Sequence, residues 1–190
     1  MTPRLETPRL ILRQFAPDDW DAVSALLSDP LIIRYMHFVT WTADQRRQWF
    51  EWCLTNEQQS DTDALNWAMT RKDTGGVIGL CHTQPSNEND AAVPGERGVG
   101  YGLNRAAWNQ GYMTEALRAI LADEFGARAA PGLRATCNVA NPASARVLEK
   151  VGMRREKTVF DANFAGAWTH WHHYAITKAN YEAQIAANNA

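Results

Sequence analysis

Hydrophobic and polar positions along the chain change period several times, and each change marks an element. From Pro8 to Phe15 ("PRLILRQF"), Leu10 and Leu12 alternate with Arg9 and Arg13 around Ile11, which predicts a first strand. In "APDDWDAVSALLSDP" the period becomes helical. Pro17 suits a first turn, Asp18 and Asp19 favour a helix N-terminus, Trp20, Val23, Leu26 and Leu27 share a face, and Pro30 marks the exit. Thr42 is placed to cap a second helix whose Trp49, Phe50, Cys53 and Leu54 form one side. "LNWAMTRKDTGGVIGLCHTQ" predicts a hairpin turning at Asp73–Gly76. Pro85 to Glu96 is polar without period and reads as a loop, mobile or disordered.

The second half repeats a strand-to-helix order. Gly98–Leu103 is a strand, and Thr114 to about Ala127 a helix with Leu117, Ile120, Leu121 and Phe125 inward. Leu133–Asn138 is a strand. The next helix has Asn141 as N-cap, Pro142 at its first position and Gly152 as its stop. Arg154–Phe164 and Ala167–Thr177 predict a closing antiparallel pair, and Lys178 to Ala190 a short fraying helix. No repeat or linker divides the 190 residues, so one domain with a mixed sheet and helices on both faces is expected.

Composition narrows the function classes. Lys and Arg number 19 against 21 Asp and Glu, a net charge of −2, and no basic block resembles a nucleic-acid footprint. No run approaches the roughly 18 apolar residues of a membrane helix, and the N-terminus lacks a signal-peptide core. Cys53, Cys81 and Cys137 have neither metal nor redox spacing, so free thiols in a reducing cytoplasm are expected.

"WNQGYMTEAL" (Trp108–Leu117) holds the first candidate chemistry: a Gly-containing turn between a strand and a helix. The first amides of a helix lack intrahelical partners and carry partial positive charge, so a turn aiming the amides of Gln110 to Thr114 inward can hold a phosphate, with Gly111 permitting close approach. No Lys-Ser or Lys-Thr follows the glycine as in a P-loop, and a single glycine does not make the dinucleotide fingerprint. A plain strand-to-helix connection stays open. Asn141 and Ser144, at N-cap and N3 of the later helix, are likewise fully explained as helix punctuation.

Taken together, "YGLNRAAWNQGYMTEAL" resembles the acetyl-CoA-binding motif of the GNAT acetyltransferase superfamily, and "NPASARVLEKVGM" the motif that follows it. "LETPRLILRQFAPDDWDAVSALLSDPLIIRYM" is similar to the opening of the RimJ/RimL branch. The resemblance runs from about Leu5 to about Thr177. It implies a single GNAT-like domain: a mixed, mostly antiparallel sheet of about seven strands, splayed between two central parallel strands, Gly98–Leu103 and Leu133–Asn138. Acetyl-CoA would fill the gap, its pantetheine arm on the edge at Leu103 and Asn104. Its pyrophosphate would lie in the turn formed by Trp108, Asn109, Gln110, Gly111, Tyr112, Met113 and Thr114. Asn141 would hold the arm, Ser144 would point near the thiol, and Arg146 would meet the cofactor further out. The acceptor would be an amine, of a peptide N-terminus or a small molecule. The family admits homodimers, but the sequence carries no interface signature.

Three positions depart from the pattern. Trp108 replaces the common Arg or Gln and Met113 the terminal Gly or Ala, both familiar in this branch. Gly98 stands where an acid is frequent, so a carboxylate base is missing there. Glu96, His82 and His170 are the remaining candidate bases. Ser144 is the expected proton donor to the departing thiolate. His170 and His172 share a strand face but lack a third metal ligand. Cys137 is either an acyl-accepting nucleophile or, more in keeping with its type, a buried thiol. Trp41, Trp49 and Trp52 are either core or acceptor-cleft residues, and Glu115 complements the helix dipole. A non-catalytic acyl-CoA sensor and a ligand-free interaction domain are the alternatives to an N-acetyltransferase.

Overall fold

The structure is a computed structural model describing residues 2–36, 41–55, 63–86, 93–162 and 168–188. Eight strands form one sheet: β1 (Leu5–Glu6), β2 (Leu10–Arg13), β3 (Leu65–Arg71), β4 (Val77–Pro85), β5 (Arg97–Leu103), β6 (Gly132–Asn138), β7 (Arg154–Ala162) and β8 (Trp168–Thr177). Their order is β1-β2-β3-β4-β5-β6-β8-β7, antiparallel throughout except between β5 and β6. This is the expected mixed sheet, with one strand more than anticipated. The two-residue β1 is too short to show a period. Parts of the predicted loop at 87–92 and of the final strand pair at 163–167 lie outside the described residues.

Six helices cover the faces: α1 (Trp20–Ser28), α2 (Pro30–Ile33), α3 (Ala43–Thr55), α4 (Tyr112–Gly126), α5 (Pro142–Lys150) and α6 (Lys178–Asn188). Val23 and Leu26 of α1 and Phe50 and Cys53 of α3 pack against Ala68 and Leu80 on one face. Leu117, Ile120, Leu121 and Phe125 of α4 and Leu148 of α5 pack against Val99, Leu133 and Ala135 on the other. Pro30 does more than end α1. Asp29 accepts a hydrogen bond from the Leu31 N–H at 2.9 Å, so Asp-Pro caps and opens α2. Thr42 caps α3 as expected, and the Gln45 side chain returns the bond to the Thr42 N–H in a capping box. Asp19 does not cap α1; it accepts a two-pronged bond from Arg13 at 2.7 and 2.8 Å, tying α1 to β2. Among the described residues no helix is long and apolar enough to cross a membrane.

The parallel pair is short. Arg97 pairs with Leu133 and Gly98 with Arg134, after which β5 and β6 part. Ion pairs hold the apex of this fork on both faces. Beneath, Arg97 meets the fully buried Glu124 of α4 at 2.9 Å, and Thr83 donates to the same carboxylate. Above, Glu96 and Arg134 pair at 2.6 Å, and Arg134 also reaches Glu156 at 2.9 Å. Removing one member of a buried pair strands the other, at about 3–5 kcal/mol. Glu124→Gln is therefore expected to lower the thermal midpoint by roughly 6–20 °C, at about 2–4 °C per kcal/mol for this size. Replacing Arg97 and Glu124 together by Met and Leu should recover much of the loss. A midpoint within about 2 °C of the parent for Glu124→Gln would remove the clamp from the account.

Candidate functional site

The fork opens into one continuous cleft of about 1220 Å³, more than a drug-sized ligand requires. At one end lies the glycine turn. Gly111 sits at φ +80°, the left-handed region where a side chain is strained, and Asn109 at φ 58°. Because Gly111 makes the reversal, α4 begins at Tyr112, two residues earlier than the sequence pattern indicates. No side chain caps α4, and its first backbone bond is Glu115 N–H to Gly111 O at 3.0 Å. The amides of Tyr112, Met113 and Thr114 precede that bond at the cleft wall.

Arg9, which the sequence did not single out, clamps this turn. Its guanidinium donates to the Gln110 carbonyl at 2.9 Å, lies 4.3 Å over the Tyr112 ring and pairs with Glu115 at 2.7 Å. Glu115 also accepts from the Thr7 hydroxyl at 2.6 Å and the Arg9 N–H at 2.9 Å. It thus ties the N-terminal segment to α4, beyond complementing the dipole. Burial opposes its ionisation, but the bonds from Thr7 and Arg9 prevail and hold its pKa below the usual range.

Along the fork, β5 presents a free edge. Ser86 N–H reaches Glu96 O and Asn104 N–H reaches Ile78 O, both at 2.8 Å. With the β4–β5 register this turns the even-numbered residues' backbone groups toward β4 and those of Val99, Tyr101 and Leu103 toward the gap. The Leu103 carbonyl already accepts from the Trp108 indole at 2.7 Å. The expected edge therefore shifts. Asn104 has spent its N–H on β4 and does not line the cleft, and Val99 and Tyr101 take its place. Gln110 is also outside the lining, its side chain donating to Ala106 O at 2.7 Å. The other residues expected of the turn and fork, Leu103, Trp108, Asn109, Gly111 to Thr114, Asn141, Ser144 and Arg146, all line it.

Across the gap, the Asn141 side chain accepts from the Ser144 N–H at 3.1 Å, setting the first turn of α5. The Ser144 hydroxyl lies 2.8 Å from the Tyr101 hydroxyl, a contact that joins α5 to β5. Burial raises the Tyr101 pKa strongly, so this phenol keeps its proton, and it also reaches the Ser144 carbonyl as a donor at 3.3 Å. Cys137 is buried nearby, its Sγ 3.4 Å from the carbonyls of Asn138 and Asn141. Burial raises its pKa too, which opposes a nucleophilic thiolate.

On the opposite face of the sheet the even residues of β5 are Gly98, Gly100 and Gly102, a floor without side chains. The His82 ring lies across Gly100: a Cβ there would stand 2.3 Å from its Cε1. Burial pushes the His82 pKa down to about 4, so the ring is neutral near pH 7. Trp41, Trp49 and Trp52 all line the cleft, while Trp49 also packs edge-on against Phe15. Of the other candidate bases, Glu96 is buried in its pair with Arg134. His170 is exposed, stacked 4.8 Å from Phe160 and outside the lining. The position beside Gly98 is open, with only the Gln84 carbonyl within 4.0 Å. His172 sits 2.8 Å from the Thr158 hydroxyl, and no group of three metal-ligating side chains occurs among the described residues.

Comparison with known proteins agrees with this architecture. The family model described as "Acetyltransferase (GNAT) domain" matches residues 9–154. YkkB of Bacillus subtilis (strain 168) is 32% identical over 158 residues, 82% of this chain and 88% of that protein. A GNAT-family acetyltransferase from Bacillus anthracis superposes with a TM-score of 0.78 at 24% identity, over 93% of this chain and 99% of that one. A spermidine N-acetyltransferase from Vibrio cholerae, solved with CoA and spermine, superposes with a TM-score of 0.75 at 15% identity, over 93% and 99%. With a forked sheet, an uncapped helix at its mouth and a family match over most of its length, the chain belongs to the GNAT acetyltransferase family.

Proposed function

We propose that the protein transfers the acetyl group of acetyl-CoA directly to a primary amine, of a protein N-terminus or of a small molecule, as in the RimJ/RimL-like branch that its opening segment resembles. One observation carries this reading. The fork joins three uncapped amides at Tyr112–Thr114 to the Ser144 hydroxyl, with the backbone edge of Val99 and Tyr101 between them. The donors fit the co-substrate. The amides suit a pyrophosphate, and an extended amide-bearing arm suits a strand edge. Arg146 and the rest of the Trp108–Thr114 turn would line the same ligand. Three unpaired, buried cysteines agree with a cytoplasmic setting.

Acetyl-CoA supplies the acetyl group as an activated thioester; the chain's residues do the rest. An attacking amine must be free, a donor must meet the developing oxyanion, and the departing sulfur needs a proton. An N–H from the β5 edge serves the oxyanion. Tyr101 retains its proton, and its hydroxyl, 2.8 Å from Ser144 Oγ and 3.3 Å from the Ser144 carbonyl, holds the serine in place; when the phenol donates to Oγ, the serine's own proton is free for the sulfur. Tyr101 is thus a positioning residue and Ser144 the proton donor. No carboxylate lies beside Gly98, so the amine is deprotonated elsewhere or arrives free. An ordinary α-amine with a pKa near 8 is about one-tenth free at neutral pH. A non-catalytic acyl-CoA sensor is the second reading, favoured only by that missing acid.

Release of the CoA thiol with an amine panel separates the two readings: turnover supports the enzyme, and binding without turnover supports the sensor. Ser144→Ala is expected to lower kcat about 10–100-fold, near the low end of general acid catalysis because a thiol leaves readily. An unchanged kcat at saturation removes Ser144 from the chemistry. His82 gives a separate prediction about stability. Its native pKa lies below the ordinary value of 6.5, so between about pH 6.5 and 4 the unfolded chain binds a proton that the native state refuses. Stability contributed by the neutral ring is present above that window and lost as pH falls through it. The thermal midpoint of the parent should therefore drop more steeply than that of His82→Gln from pH 7 to 4.5; parallel curves would contradict the assignment.

A further inference from the structure

We propose that the acceptor is a primary amine carried on an aromatic body with no second positive charge, seated against the indoles of Trp41, Trp49 and Trp52 that line the cleft. This rests on the acetyltransferase reading of the cleft. The shape comes first. Gly98, Gly100 and Gly102 line the cleft without side chains of their own; the His82 ring covers Gly100, Met36 and Leu26 cover Gly102, where a Cβ would stand 2.7 Å from Met36 Cε and 3.2 Å from Leu26 Cδ2, and the strand is open at Gly98. In the same lining Trp41 and Trp49 hold their rings 5.9 Å apart at 46°. Trp52, one turn along α3 from Trp49, also lines the cleft and leaves 39% of its surface exposed. Tilted indoles on a cleft wall receive an aromatic ring by edge contact.

The charge of the described residues argues against polycationic acceptors. Among those that line the cleft the only carboxylate is Asp161, against Arg34, Arg134, Arg146 and Lys150. Glu96 could have supplied a second, but it is committed to Arg134 at 2.6 Å. Arg34 lies 4.4 Å over the Tyr35 ring. A polyamine would bring two or more ammonium groups to a described lining with one acid, three guanidinium groups and one lysine. A monoamine brings one. The apolar surroundings also favour its uncharged, nucleophilic form, since desolvation disfavours an ammonium. The neutral His82 adds no opposing charge to the lining.

The same chemistry occurs in free arylalkylamines and at the N-terminus of a peptide that begins with an aromatic residue. Both are tested by thiol release at saturating acetyl-CoA, using 2-phenylethylamine, Phe-Gly-Gly, Ser-Gly-Gly, n-butylamine and spermidine. The expected result is a kcat/KM for 2-phenylethylamine or Phe-Gly-Gly at least tenfold above that for spermidine and n-butylamine; whichever of the first two is faster identifies the source. Trp52→Ala should raise KM for the preferred aromatic amine at least fivefold, change that for n-butylamine less than twofold, and be rescued by Trp52→Phe. Spermidine equal to or better than the aromatic amines overturns the proposal. So does a Trp52→Ala variant that loses activity equally on every amine. If acetyl-CoA stabilises the fold but no amine of the panel is acetylated, the acceptor assignment fails alone; if acetyl-CoA does not bind, the acetyltransferase reading fails with it.

Discussion

Two adjacent strands that pair at only two positions are unstable as a sheet unless something else holds them, and the fork between β5 and β6 is such a case. Its apex is fixed by Arg97–Glu124 on one face and Glu96–Arg134 on the other. With the apex pinned, the strands can diverge beyond it without the sheet coming apart. The unpaired backbone of Val99 and Tyr101 is then the consequence of a geometry enforced from both sides, and so is the gap that α4 and α5 flank. Buried ion pairs are weak sources of net stability, but they are strict about position, and here position is what the site requires.

The alternation of β5 separates two kinds of chemistry by parity. Odd residues carry the core and the Tyr101–Ser144 contact; even residues are glycines, over which His82, Met36 and Leu26 pack on the other face. "GVGYGL" is therefore one strand with two different faces. On the proposed reading the acetyl donor lies along its edge, and the acceptor shares the cleft.

Features set by neighbours in the chain were legible in the sequence. Helix α5 is the clearest: Asn141 caps it, Pro142 begins it, and Gly152 at φ +91° ends it with the 3.0 and 3.1 Å bonds of Gly152 and Met153 back to Glu149 and Leu148. The glycine turn and the parallel strands were legible for the same reason, with the resemblance adding their order. Contacts made across the fold left no local signal. Arg9 and Glu115 meet over 106 residues, and Tyr101 and Ser144 over 43. The spent N–H of Asn104 depends on the β4–β5 register, which no pattern in either strand specifies alone. The glycine alternation was readable, but its partner His82 lies on another strand and was visible only as one histidine among several.

The central claim is that the fork and the uncapped end of α4 together hold acetyl-CoA. Thermal unfolding with excess acetyl-CoA, beside ATP and NAD as controls, tests it most directly. At about a hundredfold over Kd the ligand adds about 2.7 kcal/mol, a rise on the order of 5–10 °C for a chain of this size. A rise with acetyl-CoA alone is the predicted result. No rise at millimolar acetyl-CoA, or the same rise with ATP, would contradict it and return the turn at Gly111 to a plain connection between a strand and a helix.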